Sequence, residues 1–102
     1  MTFPWFSIYR ITGDSMAPIY NEGDFVILAK FSSILNNLTI GDDIVYLHKT
    51  YSNLIKRIVE LPEDDNLIVQ GINPISISSS KLGPIPMSCV IGKVIYHIPR
   101  PL

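Results

Sequence analysis

Apolar positions in this chain come in short runs, each cut off by Gly, Pro, Asn or Asp, and that punctuation predicts strands more than helices. Strands are expected at Phe6–Thr12, Phe25–Lys30, Asp43–Lys49, Leu54–Glu60, Asn66–Gln70 and Cys89–His97. Gly23-Asp24 and Gly41-Asp42 each feed an apolar strand, an echo that reflects shared turn chemistry rather than a repeat. Leu61 to Asn66 reads as a hairpin-type turn and Ser32 to Leu38 as one short helical turn. Asn73 to Pro86 is a Ser/Pro/Gly-rich loop, long enough to suspect a function. The expected architecture is mainly β: a small, bent antiparallel sheet or a partly open barrel.

Composition narrows the class. At 102 residues there is room for a single domain, residues 1–102, with one core. Hydrophobic residues at 47% and charged ones at 17% favour burial over disorder. A net charge of −1 offers no basic surplus for a phosphate backbone, so no nucleic-acid partner is expected. Cys89 is alone, and His48 and His97 lack ligand spacing, so neither an internal disulfide nor a metal or other cofactor is expected. No apolar run reaches the roughly 18 residues of a membrane-spanning helix, and no signal segment opens the chain. The aromatic opening around Phe3, Trp5 and Phe6 has two readings: a peripheral membrane contact, or a first strand with aromatics packed inward.

Two residues carry candidate chemistry. Ser15 sits in the turn Gly13-Asp14-Ser15-Met16-Ala17-Pro18, between two apolar strands. Lys56 sits inside Asn53-Leu54-Ile55-Lys56-Arg57-Ile58-Val59. A serine hydroxyl needs a base to take its proton, and a free lysine, with a pKa of about 10.4, is almost never neutral at pH 7. Strand alternation places Leu54 and Ile58 beside Lys56 on one face, where they would strip water from its amine. Arg57 points to the other face and keeps its charge. Gly13 permits a tight path, the turn leaves amides free for an oxyanion, and Met16 can anchor it in the core. Alone, each segment also reads blandly, as a solvated turn and as a lysine snorkelling from a strand edge.

The order of segments resembles the signal peptidase I superfamily of Ser/Lys endopeptidases. Gly13 to Pro18 with Gly23-Asp24 is similar to the nucleophile box. Gly41-Asp42-Asp43-Ile44-Val45 with Ile55-Lys56-Arg57-Ile58-Val59 and Leu61-Pro62 is similar to the general-base box. Gly71-Ile72-Asn73-Pro74 through Gly83 and Pro86 resembles a third, degenerate box, and Val90-Ile91-Gly92-Lys93-Val94 a closing strand. The resemblance implies a catalytic core of that superfamily, with Ser15 as nucleophile and Lys56 as general base and then general acid. It implies oxyanion or substrate contacts at Gly13, Asp14, Met16 and Ile55, and supporting roles for Arg57, Ser76 and Ser78. The partner would be a precursor protein whose N-terminal leader peptide lies extended along strand edges, with small residues at the cleavage site.

The third box departs from the family pattern. Its acids are replaced by Ile72 and Ser79 and its arginine by Lys81, which predicts an Arg57 without its usual partners. The compact chain and its Ile98-Pro99-Arg100-Pro101 ending are similar to soluble nickel-type superoxide dismutase maturation proteases. That would place it in the cytoplasm; a secretory role would need a membrane anchor supplied from elsewhere. The alternative is a non-catalytic β-module that keeps the fold and binds peptides edge-on. A self-cleaving repressor is disfavoured, because no DNA-binding segment or cleavable linker precedes Ser15.

Overall fold

The structure is a computed structural model that describes residues 5–62, 64–73 and 82–101. Seven strands form it: β1 (Phe6–Arg10), β2 (Phe25–Ala29), β3 (Asp43–His48), β4 (Ser52–Glu60), β5 (Asn66–Gln70), β6 (Ile85–Pro86) and β7 (Val90–Ile98). A short α-helical turn, α1, covers Ser32–Leu35, and Met87–Cys89 is a 3-10 turn. Each predicted strand is present, with ends moved by up to two residues. The predicted helical turn stops before Leu38. Part of the predicted loop at Asn73 to Pro86 is β6, and residues 74–81 lie outside the described residues.

All seven strands join one antiparallel sheet in the order β1-β2-β7-β3-β4-β5-β6, bent but not closed into a barrel. The last strand inserts between β2 and β3, so within the sheet β7 joins the N-terminal hairpin to the β3–β4–β5 meander. Register shifts at Ile27/Leu28, Val45/Tyr46 and Ile58/Glu60 interrupt the ladders, and such irregularities increase local twist and bend a sheet.

Both faces of the central strands are covered. Ile44, Tyr46, Ile58, Leu67, Val69 and Ile85 belong to one apolar cluster. Ile11, Met16, Val26, Leu28, Val45 and Ile55 belong to the other. This explains why Asp43-Ile44-Val45-Tyr46 is buried residue after residue rather than alternately. Gly92 is set by the same crowding. A β-carbon there would lie 2.8 Å from Leu28 Cβ and 3.1 Å from the Ala29 carbonyl, so β7 docks on β2 only with a glycine at that place.

The aromatic opening follows neither sequence reading completely. Phe6 packs edge-on against Phe31, with centroids 5.0 Å apart, whereas Trp5 remains 59% exposed. Phe3 lies outside the described residues. Among the described residues, no helix is long and apolar enough to cross a membrane.

Candidate active site

The serine turn is tied down from both sides. Gly13 takes φ +81°, a left-handed conformation that residues with a β-carbon rarely adopt, and this lets the chain reverse directly after β1. Ala17 N–H donates to the Asp14 carbonyl at 3.0 Å and Tyr20 N–H to the Met16 carbonyl at 2.9 Å. Ile11 closes the loop, donating to the Asp24 carbonyl (2.8 Å) and accepting from Gly23 N–H (2.9 Å). Met16, 1% exposed, plugs the turn into the cluster that also holds Ile55. The Ser15 hydroxyl projects onto β4, with Oγ 3.5 Å from the Ile55 carbonyl oxygen, one residue before Lys56. From the third box, Asn73 N–H donates to the Ser15 carbonyl at 2.9 Å. The three sequence boxes therefore converge on this turn.

Two amides here have different surroundings. Gly13 N–H is directed to the Glu22 carboxylate at 3.3 Å. Among the described residues, Ser15 N–H donates no hydrogen bond. Asp14 is exposed.

Lys56 is the buried cation of the sheet, with 1% of its surface exposed. Its cross-strand partner on β3 is Ile44, and Tyr46–Leu54 is the next pair on the same face, so aliphatic and aromatic groups flank the side chain. Among the described residues it makes no ion pair. Desolvation without a counter-charge penalises the ammonium, and the lysine pKa is lowered from its ordinary value.

Arg57 corrects a prediction. It does not lack a partner: Nε and Nη2 meet Asp43 Oδ1 and Oδ2 at 2.7 and 3.0 Å. Asp43 is directly opposite Arg57 across β3–β4, so an acid from the general-base box takes the place of the missing third-box acids. Asp43 also accepts from the Tyr20 phenol at 2.7 Å, a bond that is buried. Burial and the Asp43 charge push the Tyr20 phenol up, which keeps it protonated as a donor.

The Gly23-Asp24 turn has a second task. Asp24 is buried and accepts from Asn21 N–H (2.9 Å), Arg100 N–H (2.9 Å) and His97 Nε2 (2.7 Å), which clips the C-terminal segment to the serine loop. The edge of the Tyr20 ring meets His97, centroids 4.9 Å apart.

Sequence reasoning missed Asp43, Tyr20, Glu22 and Asp24 as site-supporting residues. A signal for Asp43 was present: a hairpin pairing His48 with Ser52 brings 43 opposite 57 by counting outward in steps of one. Ser76 and Ser78 lie outside the described residues. Two surface hollows lie elsewhere. One of about 600 Å³ is lined by residues such as Asp64, Asp65 and Met87, and one of about 420 Å³ by Leu47, Leu82, Ile85 and Cys89, and neither touches Ser15 or Lys56.

The sequence matches the model of the family described as "Signal peptidase, peptidase S26" over residues 1–71, well over half of the chain. This chain belongs to the signal peptidase S26 family. Signal peptidase I V of Bacillus subtilis (strain 168) is 32% identical to it over 69 residues, which cover 62% of this chain and 41% of that protein. The chain thus corresponds to less than half the length of that signal peptidase. The matched region holds both the serine turn and the Lys56 strand, and the S26 family is one of peptidases.

Proposed function

We propose that this chain is a serine endopeptidase with a Ser15/Lys56 dyad that removes an N-terminal signal or leader peptide from a precursor protein. The observation that carries the reading is a buried lysine without a counter-charge, its pKa lowered by desolvation, on the strand that the Ser15 hydroxyl touches. Neutral Lys56 Nζ takes the Ser15 proton as Oγ attacks the scissile carbonyl carbon. The carbonyl oxygen becomes the oxyanion and accepts a hydrogen bond from the Ser15 N–H. Collapse expels the amine, which leaves with the proton held by Lys56. Water, deprotonated by Lys56, then hydrolyses the acyl ester and restores Ser15.

The other candidates take supporting parts. Gly13, Asp14, Met16 and Ile55 border the place of the scissile bond. Asp43 holds Arg57 and with it the β4 register, and Ser76 or Ser78 would orient the lysine. The exposed Trp5, with Phe3 and Phe6, would meet lipid headgroups near a membrane-borne precursor.

The test compares cleavage of a leader peptide with small residues at its cleavage site by wild type, Ser15→Ala and Lys56→Met. Both variants are expected to lose at least about 10³-fold in kcat/KM. A wild type no faster than the variants removes the enzyme reading, and binding without cleavage would establish the peptide-binding module instead.

A further inference from the structure

Among the described residues, the N-terminal half of β4 has an edge that no strand pairs. Ile58 exchanges backbone hydrogen bonds with Gly41 and Asp42 on the β3 side, Gly41 N–H to its carbonyl and its N–H to Asp42, both at 2.9 Å. With a period of two, the peptide groups of Asn53, Ile55 and Arg57 face away from β3. Strand β5 covers that side only from Arg57 onward, with Arg57 opposite Gln70. Among the described residues, the carbonyls of Asn53 and Ile55 therefore have no strand neighbour.

Two side-chain hydroxyls occupy them instead. Tyr9 Oη is 3.4 Å from the Asn53 oxygen, and Ser15 Oγ is 3.5 Å from the Ile55 oxygen. Both come from β1 and the turn after it, so a slot between the outer edges of β1 and β4 is bridged by hydroxyls where a strand would otherwise fit. Carbonyls two residues apart repeat about every 6.6–6.8 Å, the spacing of alternate N–H groups in an extended peptide. At 3.4 and 3.5 Å both contacts are longer than the usual range of about 2.5–3.0 Å for O–H···O bonds, so a peptide N–H at ordinary distance would replace them readily.

We propose that Tyr9 is a displaceable latch across this slot: its phenol holds the Asn53 carbonyl until an extended substrate takes that acceptor, and so it sets the affinity for the incoming peptide. This rests on the peptidase reading above. The same entry displaces Ser15 from Ile55 and releases its hydroxyl toward the base. Tyr9 is a specificity-determining residue here and takes no part in proton transfer.

The test measures binding without turnover. Ser15→Ala and Ser15→Ala/Tyr9→Phe proteins are titrated with a fluorescein-labelled leader peptide, and with the same peptide N-methylated at successive positions in turn. Tyr9→Phe keeps the ring in its packing and removes the bridge to Asn53 together with the phenol's hydrogen bond with the Thr12 side chain. The expected result is about two- to tenfold tighter binding by the Phe variant, the worth of one neutral hydrogen bond, with the gain lost when a bonding amide is methylated. Equal or weaker binding by the Phe variant overturns the latch and leaves the peptidase reading standing. Absence of peptide binding by both proteins overturns the latch and the leader-peptide reading together.

Discussion

Asp43 and Arg57 face each other across β3 and β4, and the guanidinium grips the carboxylate with two nitrogens at 2.7 and 3.0 Å. The acid is 8% exposed and the arginine side chain about a third exposed, so the pair lies at the border of the core. There, loss of one partner strands the other's charge among poorly solvated groups. Because Tyr20 donates to the same carboxylate, Asp43→Ala also leaves a buried phenol unpaired. Asp43→Ala is expected to cost about 2–4 kcal/mol in urea unfolding, and Tyr20→Phe about 1 kcal/mol. A cost under about 0.5 kcal/mol for Asp43→Ala would show the pair to be merely superficial.

Burial of Lys56 makes stability depend on pH. Its folded pKa is depressed, so the unfolded chain binds the proton more readily. Stability therefore falls as pH drops from the ordinary lysine value to the depressed one and stays at the lower level below it, with each unit of depression worth about 1.4 kcal/mol. Lys56→Met is expected to raise the melting temperature at pH 7, with a gain that shrinks in alkaline solution. A variant less stable than wild type at neutral pH would contradict the desolvation of this amine.

The same titration governs catalysis if Lys56 is the base. The kcat/KM of wild type for a leader peptide should rise with pH and level off below the ordinary lysine range, following the free enzyme. A limb at the pKa of an unperturbed lysine would remove the sheltered amine from the mechanism.

Asp24 predicts an acid limb of stability. Hydrogen bonds from the Arg100 and Asn21 amides, ahead of those from His97, hold its carboxyl down to about 2. A depressed carboxylate stabilises the fold above its unfolded pKa, and the benefit is lost as pH falls through the folded one. Wild type should lose stability between about pH 4 and pH 2, and Asp24→Asn should lack that part of the slope in acid titrations followed by circular dichroism.

Tyr46 is expected to tolerate truncation. Its ring is fully buried in the first apolar cluster, yet its hydroxyl is buried without a hydrogen-bond partner among the described residues. Replacing an unsatisfied buried hydroxyl by hydrogen removes a desolvation cost, so Tyr46→Phe should be neutral or stabilise by up to about 1–2 kcal/mol. Marked destabilisation in denaturant titration would reveal a partner for that oxygen.

Residues close in sequence were enough for the elements. Alternation and Gly, Pro, Asn and Asp turns marked the principal strands, and the aliphatic neighbours of Lys56 announced its burial. They left β6 unmarked, because two residues, Ile85 and Pro86, carry no periodicity, and they set Trp5 no particular environment.

What the chain determines on its own is where strands start and stop, and which residue types stand beside Ser15 and Lys56, since steric preference and side-chain alternation act over a few residues. The order in which strands meet was decided by packing: β7 slips between β2 and β3 only where Gly92 allows it, and hairpin register puts Asp43 against Arg57. Contacts such as Ser15 to Ile55, forty residues apart, arise only when the whole sheet bends, because their energy depends on every strand between them.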